Sequence, residues 1–408
     1  MSIPVGWKTC PFKTIGSIMP DEWDAALLNK IANVVRGASP RPAGSPKYFN
    51  GDFIPWITVG DVTKDNDMHL TSTASMLTEA GSKKTRILPE GTLLLTNSGA
   101  TLGVAKISLI EAGANDGIAA ILSIKRCSKR YLYYFLNSKT EYFRTKVAPG
   151  LGQPNLNTDL IGETAIPIPP ADEQSKIVEI LSTWDRAIEK TEALIEAKER
   201  RKKGLMQKLL TGRVRFGAEW EFPKAEEVFK NISVKGFPDE PVLSVTQDQG
   251  VVFRDDLERK INMSKSNTHT YKLVESGDFV ISLRSFQGGL EYSELRGTVS
   301  PAYHVIRSKR PIEDGFYKHY FKSYEFIGRL AVAVIGIRDG KQISYNDFSF
   351  MRLPYPPVEQ QKEIATILDK ADREIKLERA RLATLKEQKK GLMQQLLTGK
   401  VRVNTKPA

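Results

Sequence analysis

Cysteine is nearly absent: Cys10 and Cys127 are the only two in 408 residues. Two thiols cannot build a disulfide framework, so the fold has to close on its own core, and a reducing, cytoplasmic setting is expected. Long apolar runs are missing as well. No stretch reaches the roughly 20 residues of a membrane helix, and the N-terminus lacks the basic, apolar and small-residue order of a secretory signal. The four histidines, His69, His269, His304 and His319, stand apart, without a Cys or carboxylate cluster at metal-ligand spacing. No Gly-x-x-x-x-Gly-Lys-Ser/Thr phosphate loop occurs, since Gly399-Lys400 runs into Val401. The Asn-Pro-Pro-Tyr pattern of amino-methyltransferases is lacking too, because Pro169-Pro170 and Pro356-Pro357 have neither the preceding polar residue nor the following aromatic. ATP binding, methyl transfer and a histidine-based metal site therefore find no support in this chain.

What the chain does have is a repeat. Residues 167–215 reappear as residues 354–402, and 23 of the 49 aligned positions are identical at a constant offset of 187. Each copy opens with a proline run that cannot enter a helix interior, Pro167-Ile168-Pro169-Pro170 and Pro354-Tyr355-Pro356-Pro357. Asp172 is placed to cap the first helix. Apolar residues then recur at alternating spacings of three and four, including Ile177, Leu181, Ile188, Ile195, Leu205 and Leu209 in one copy and Ile364, Leu368, Ile375, Leu382, Leu392 and Leu396 in the other. One narrow apolar seam per helix suits pairing of the two helices as a coiled coil. At 1.5 Å per residue, ~38 residues make a rod of about 57 Å, a spacer rather than a core helix. Gly212 and Gly399 stand where the helices should stop. Met206 and Met393, with Leu205, Leu209 and Leu210, are apolar ends suited to docking a partner helix. The intervening Lys198-Glu199-Arg200-Arg201-Lys202-Lys203 reads as a solvated face.

The duplication extends beyond the helices. Residues 55–59 answer 241–245, and residues 91–96 answer 277–282, as short β-branched and aromatic runs that predict strands. Residues 120–125 and 302–307 predict another strand in each half. Residues 131–138 and 316–323 predict an aromatic helix in each. Ahead of these lie a short amphipathic run, residues 25–35, and a proline-rich loop, Ala38-Ser39-Pro40-Arg41-Pro42-Ala43-Gly44-Ser45-Pro46, that is stiff and open. The predicted order is domain, long helix, domain, long helix. Framework positions match between the halves, while the loops after the central strand differ: Asn97-Ser98-Gly99-Ala100-Thr101 in one, Leu283-Arg284-Ser285-Phe286-Gln287 in the other. One scaffold with rewritten polar tips fits two reading heads. The excess of 60 Lys and Arg over 48 Asp and Glu, net +12, suits a polyanion.

Two other readings are open at this point. Pro238-Asp239 with Glu258-Arg259-Lys260 fits the loose metal-binding pattern of some nucleases, though the first half has no counterpart. A coiled-coil structural adaptor would also explain the helices alone.

The lead-in Ile166-Pro167-Ile168-Pro169-Pro170 followed by Glu173-Gln174 and Ile177, its partner Leu353-Pro354-Tyr355-Pro356-Pro357 with Gln360-Gln361 and Ile364, and the closing Gly204-Leu205-Met206-Gln207-Lys208-Leu209-Leu210-Thr211-Gly212 with its near-copy from Gly391 carry a resemblance. Over essentially its whole length the chain resembles the specificity subunits of Type I restriction-modification enzymes. The resemblance implies an α+β fold: two similar globular target-recognition domains separated by two long antiparallel coiled-coil helices, an internal tandem duplication with pseudo-two-fold symmetry. It places a first recognition domain at 1–165, a spacer helix at 166–212, a second recognition domain at 213–352, a second spacer helix at 353–403 and a tail at 404–408. Each recognition domain would bind one half of a split double-stranded DNA sequence. The helices would set the gap and dock two methyltransferase subunits, with restriction subunits in the larger assembly and no membrane involved. S-adenosylmethionine, ATP and Mg2+ are expected on those partners, with no cofactor, metal or catalytic residue on this chain.

Phosphates would then be met by Lys and Arg, and base edges by Arg, Asn, Gln, Ser or Thr. In the first domain the candidates are Arg36, Ser39, Arg41, Lys47, Tyr48, Asn97, Ser98, Thr101, Gln153, Asn155 and Asn157. In the second they are Arg254, Arg284, Ser285, Gln287, Arg338, Lys341 and Gln342.

Overall fold

The run Leu93-Leu94-Leu95 is apolar at every position because it is the middle of a sheet covered on both faces, to which successive side chains point alternately. In a computed structural model describing residues 3–147, 156–214, 219–247, 249–257, 265–334 and 343–405, Leu93 and Leu95 enter one core with Trp23 and the aromatic helix Lys129–Ser138. Leu94 faces the other way, into a core with Ile57, Val62 and Ile118. The second half repeats the arrangement. Phe279 and Ile281 of the strand Phe279–Ile281 join the core of the aromatic helix Asp314–Tyr320, and Val280 points into a core with Leu243, Val274 and Val305.

Sheet topology carries the duplication further. In the first half the strands Asn33–Arg36, Ile118–Leu122, Leu93–Thr96 and Ala105–Ser108 lie side by side, each antiparallel to its neighbour. In the second, Phe229–Ile232, His304–Ser308, Phe279–Ile281 and Glu291–Tyr292 lie in the same order with the same directions. The first half adds a parallel edge strand, His69–Leu70, and a four-stranded sheet ordered Ser75–Leu77, Phe49–Ile57, Ala112–Ala114, Ile87–Leu88. The predicted strands and aromatic helices are thus present in both halves. The amphipathic run at residues 25–35 forms the end of the strand Asp24–Leu27, a single turn Leu28–Ile31 and most of the strand Asn33–Arg36. Pairing with Ala165–Ile168 and Ile118–Leu122 supplies the backbone partners of its two strands.

The chain divides into two compact units, residues 1–190 with 382–408, and residues 191–381. Two helices of 39 residues, Ala171–Leu209 and Val358–Leu396, pass through both. Asp172 lies inside the first turn rather than at its cap, where a carboxylate still favours the positive end of the helix dipole. The lead-in motif owes its residue types to two buried glutamines. Gln174 donates to the Pro169 carbonyl (2.9 Å) and accepts from Ser128 N (2.6 Å). Gln361 likewise donates to Pro356 O (2.8 Å) and accepts from Glu313 N (2.9 Å). Each locks the proline run to the start of its domain's aromatic helix.

Within each unit the two helices run antiparallel. In the first unit Arg402, just past the second helix, holds Glu173 (2.7 Å), and Lys389 holds Asp185. In the second, Lys198 meets Glu374 (2.8 Å) and Lys202 meets Asp372 (2.5 Å). The stretch 198–203 is therefore only partly the solvated face that was expected: Lys198 and Lys202 fall on the seam's three-and-four spacing and cross to the facing helix. Ile177, Leu181, Ile188, Leu209, Ile364, Leu368, Ile375 and Leu396 are buried. At the helix ends Leu209 and Leu210 belong to the second unit's core, and Leu396 and Leu397 to the first. Leu205, Met206, Leu392 and Met393 are partly buried against the same cores. No described helix is long and apolar enough to cross a membrane.

Candidate nucleic-acid interface

Gly37 ends the strand Asn33–Arg36 and lets the proline-rich loop pass against the turn at residues 114–117. A Cβ there would lie 2.2 Å from the Asn115 carbonyl oxygen, so only glycine fits. Backbone bonds Gly37 N to Ile118 O (2.8 Å) and Ala38 N to Ala114 O (2.9 Å) fix the crossing. Three of the candidates converge there on one residue, Asp116, two of them on its carboxylate. Arg36 Nε donates to the Asp116 carbonyl oxygen (2.6 Å), Ser39 Oγ to its Oδ1 (2.7 Å) and Arg41 Nη2 to its Oδ2 (3.0 Å). The Arg41 side chain is still 71% exposed. Sequence reasoning passed over Asp116, because an acidic residue is the wrong sign for a phosphate surface.

The Asn97 to Thr101 loop abuts the same turn through Asn97 N to Gly117 O (2.9 Å). Thr101 is exposed and Ser98 half-buried. Asn97 corrects the expectation: its side chain is fully buried and both amide atoms lack a hydrogen-bond partner, so it does not present its edge at the surface. Lys47 is exposed, its Nζ 5.7 Å from the Tyr48 ring centroid. Tyr48 is tied by its backbone to Thr78, and no bond links this pair to the Asp116 cluster among the described residues. Asn157 caps the helix Thr158–Gly162 by accepting from Leu160 N (2.8 Å), which occupies its side-chain oxygen. Gln153 and Asn155 lie outside the described residues.

In the second unit Arg284 and Gln287 are exposed, on the one-turn helix Ser285–Gly288 and the residue before it. Gln247 Nε2 donates to the Arg284 carbonyl (3.1 Å), tying this loop to the turn after the strand Leu243–Thr246. Ser285 is a second correction. It is buried, and its Oγ accepts from Ser282 N (2.8 Å), so it braces the loop from inside. Gly289 closes the loop at φ +78°, where a Cβ would meet the Phe321 carbonyl oxygen at 1.8 Å. Arg254 stands apart, with its guanidinium 5.7 Å from the Tyr271 ring centroid. Arg338, Lys341 and Gln342 lie outside the described residues, as do Glu258, Arg259 and Lys260 of the nuclease-like pattern.

No described group of three or more His, Cys, Asp and Glu side chains is arranged to hold a metal ion. Burial pushes the Cys127 thiol up to about 12, the wrong direction for a nucleophile.

Comparison with known proteins agrees with this geometry. The Type I restriction modification DNA specificity domain matches twice, at residues 20–199 and 219–387. A putative Type I restriction enzyme specificity subunit of Methanocaldococcus jannaschii is 26% identical over 96% of both chains. The EcoKI specificity subunit of Escherichia coli is 23% identical over 85% of this chain and 81% of its own. Among solved structures, the S subunit of a Type I system from M. genitalium superposes with a TM-score of 0.53 at 13% identity, covering 92% of this chain and 96% of that one. A chain from a structure of Type I complex assembly and conformational transition reaches 0.59 at 15% identity, covering 96% and 100%. These matches leave the nuclease and adaptor readings without support. With two copies of the domain in one chain, the protein belongs to the Type I restriction-modification DNA specificity family and is a non-catalytic specificity subunit.

Proposed function

We propose that the two units each read one half of a bipartite double-stranded DNA target, and that the paired helices set the unread gap between the halves. The observation that carries this is the repeated four-strand sheet, with the same order and directions in both halves, bearing loops of unrelated sequence at matching places. A conserved scaffold with exchanged polar tips is what two different sequence readers require. Arg36, Ser39 and Arg41 around Asp116 form the first reading surface, with Ser98 and Thr101 on the loop that abuts the same turn and Lys47 and Tyr48 a few residues further along the chain. Arg284 and Gln287 form the second. The helix pair, with the partly exposed Leu205, Met206, Leu392 and Met393 towards its ends, offers the docking face for two methyltransferase subunits, which carry S-adenosylmethionine and methylate adenine. Restriction subunits, with ATP and Mg2+, join the larger assembly in the cytoplasm.

Selection from a pool of random duplexes, using the chain together with its methyltransferase subunits, tests this. Enriched sequences with two fixed parts and a gap of constant length support the proposal. A single contiguous motif, or no motif, overturns it.

A further inference from the structure

Asp116 raises a question that the reading of a bipartite target does not answer. A carboxylate at the centre of a DNA-facing cluster repels phosphate, yet here it accepts from both Ser39 Oγ and Arg41 Nη2, while its carbonyl oxygen takes Arg36 Nε. It is well placed to do so. Asp116 sits in the turn that Gly37 crosses, and its own N–H donates back to Ser39 Oγ (3.3 Å). The turn is anchored on the far side by Asn97 N to Gly117 O and Ile118 N to Asn115 O. The Asp116 side chain is 35% exposed and that of Arg41 71%, so the pair lies at the surface with the arginine outermost.

An unrestrained arginine on such a loop would swing to the nearest phosphate, which gives affinity without information. Pinning one Nη2 hydrogen removes that freedom and leaves the rest of the fork, Nη1, Nε and the second Nη2 hydrogen, to meet a base edge such as the O6 and N7 of guanine. The carboxylate also cancels one of the two arginine charges locally, which weakens indiscriminate phosphate binding.

Resting on the bipartite reading above, we propose that Asp116 is a positioning residue for the first recognition surface. It orients Arg41, with Arg36 and Ser39, toward bases, and it trades phosphate affinity for sequence discrimination. The signature is an opposed change. Removing the negative charge should strengthen binding to random DNA while weakening the choice of bases at one half-site.

The test compares the full-length protein with Asp116→Asn and Asp116→Glu, each assembled with methyltransferase subunits. The readouts are selection from random duplexes and the salt dependence of binding to a duplex of unrelated sequence. Expected for Asp116→Asn is loss of preference at one or more bases of a single half-site, about 5- to 150-fold per base, with the other half-site and the gap unchanged. Binding to unrelated DNA should rise, with a salt slope steeper by up to ~0.9. Asp116→Glu, which keeps the carboxylate, should recover part of the preference. Unchanged selection by Asp116→Asn overturns the inference. So does equal degradation of both half-sites, which would mean the residue acts only through general folding. Loss of one half-site with weaker binding to unrelated DNA overturns it as well, since that outcome makes Asp116 a contact rather than a restraint. If the unsubstituted protein selects no bipartite sequence, the functional reading fails first, and its failure is seen before any variant is measured.

Discussion

Lys202 Nζ lies 2.5 Å from Asp372 Oδ1, and the repeat offset of 187 turns this pair into Lys389 and Asp185, which also bind each other. The helices exchange roles: the first supplies the lysine in the second unit and the aspartate in the first unit. Side-chain exposures of 22% and 45% for one pair, and 20% and 32% for the other, place both between open surface and core. Each should contribute about 0.5–1 kcal/mol, the upper part of the range for exposed pairs. A double-mutant cycle with Lys202→Met and Asp372→Asn should return a coupling of that size, and the cycle at Lys389 and Asp185 a similar one. Coupling near zero in both would make the pairs bystanders to a purely apolar seam.

Glu173 is the more consequential carboxylate. It is 2% exposed and accepts from Trp23 Nε1 (2.8 Å) and from Arg402 Nε and Nη2 (2.7 and 2.9 Å). The second copy carries Gln360 at this position, accepting from Trp220 Nε1 at 3.0 Å. Glu173→Gln therefore imitates a solution the protein already uses, and it should cost about 1 kcal/mol or less. Glu173→Ala strands a buried indole N–H and a charged guanidinium and should cost about 2–3 kcal/mol, discounted because Arg402 is partly exposed. Denaturant melts of the two variants would separate these outcomes. Equal losses would show that the carboxylate charge, not the hydrogen bond to the tryptophan, matters.

Where the first unit has Tyr134 bound to Asp185 (2.5 Å), the second has His319 bound to Asp369 (2.8 Å). Desolvation by burial lowers the His319 pKa below its ordinary value, and the Asp369 bond opposes this only in part. The neutral ring is thus favoured in the folded protein. Sign follows from linkage: with the folded value below the unfolded one, the stabilisation is complete above the unfolded pKa of about 6.5. It is lost as pH falls from there through the folded value, because the unfolded chain then binds the extra proton. His304, also lowered, by burial and by Lys272, adds in the same direction. Melting temperature should drop as the pH falls below about 6.5, and His319→Tyr, borrowing the first unit's residue, should flatten that drop. A pH profile identical in the variant would remove His319 from the account.

The large features of this fold were legible because they obey periodicity. A three-and-four seam and a short unbroken apolar strand such as Leu93-Leu94-Leu95 announce themselves wherever they occur, and the repeat doubles each signal. Polar residues were less legible, since their type does not fix their direction. Asn97 and Ser285 have the chemistry of base readers, yet both side chains turn inward, one unpartnered and one bracing its own loop. Lys198 and Lys202 read as a wet face because lysine seldom occupies a seam, but each finds a carboxylate on the facing helix. Asp116 was missed for the opposite reason: its charge argued against the surface that it organises.

The arginines should separate the two reading surfaces. Arg41→Ala removes an exposed fork from the first loop cluster, and Arg284→Ala removes one from the second. Neither side chain packs in a core, so folding should change by less than about 0.5 kcal/mol. Each variant should lose discrimination of about 1–3 kcal/mol at bases of one half-site only, and the two should affect different halves. Arginine variants that weaken binding uniformly across sequences would instead be phosphate contacts, and the reading surfaces would have to be sought in other loops.

Helix length is open to a direct test because the repeat allows matched deletions. Removing residues 191–197 and 378–384 takes one heptad from each helix at equivalent positions and leaves the three-and-four seam in register on both sides of the cut. Seven residues correspond to ~10.5 Å of helix, about three base pairs at ~3.4 Å each. The selected half-sites should keep their sequences while the gap between them shortens by about that amount. Ile195, which is buried, and Lys198, which pairs with Glu374, flank or fall within the cut, so some stability will be lost. Selection at reduced temperature keeps the readout available. An unaltered gap with intact half-sites would mean that the unread interval is set by loops or partner subunits, and that the paired helices serve only to hold the chain together.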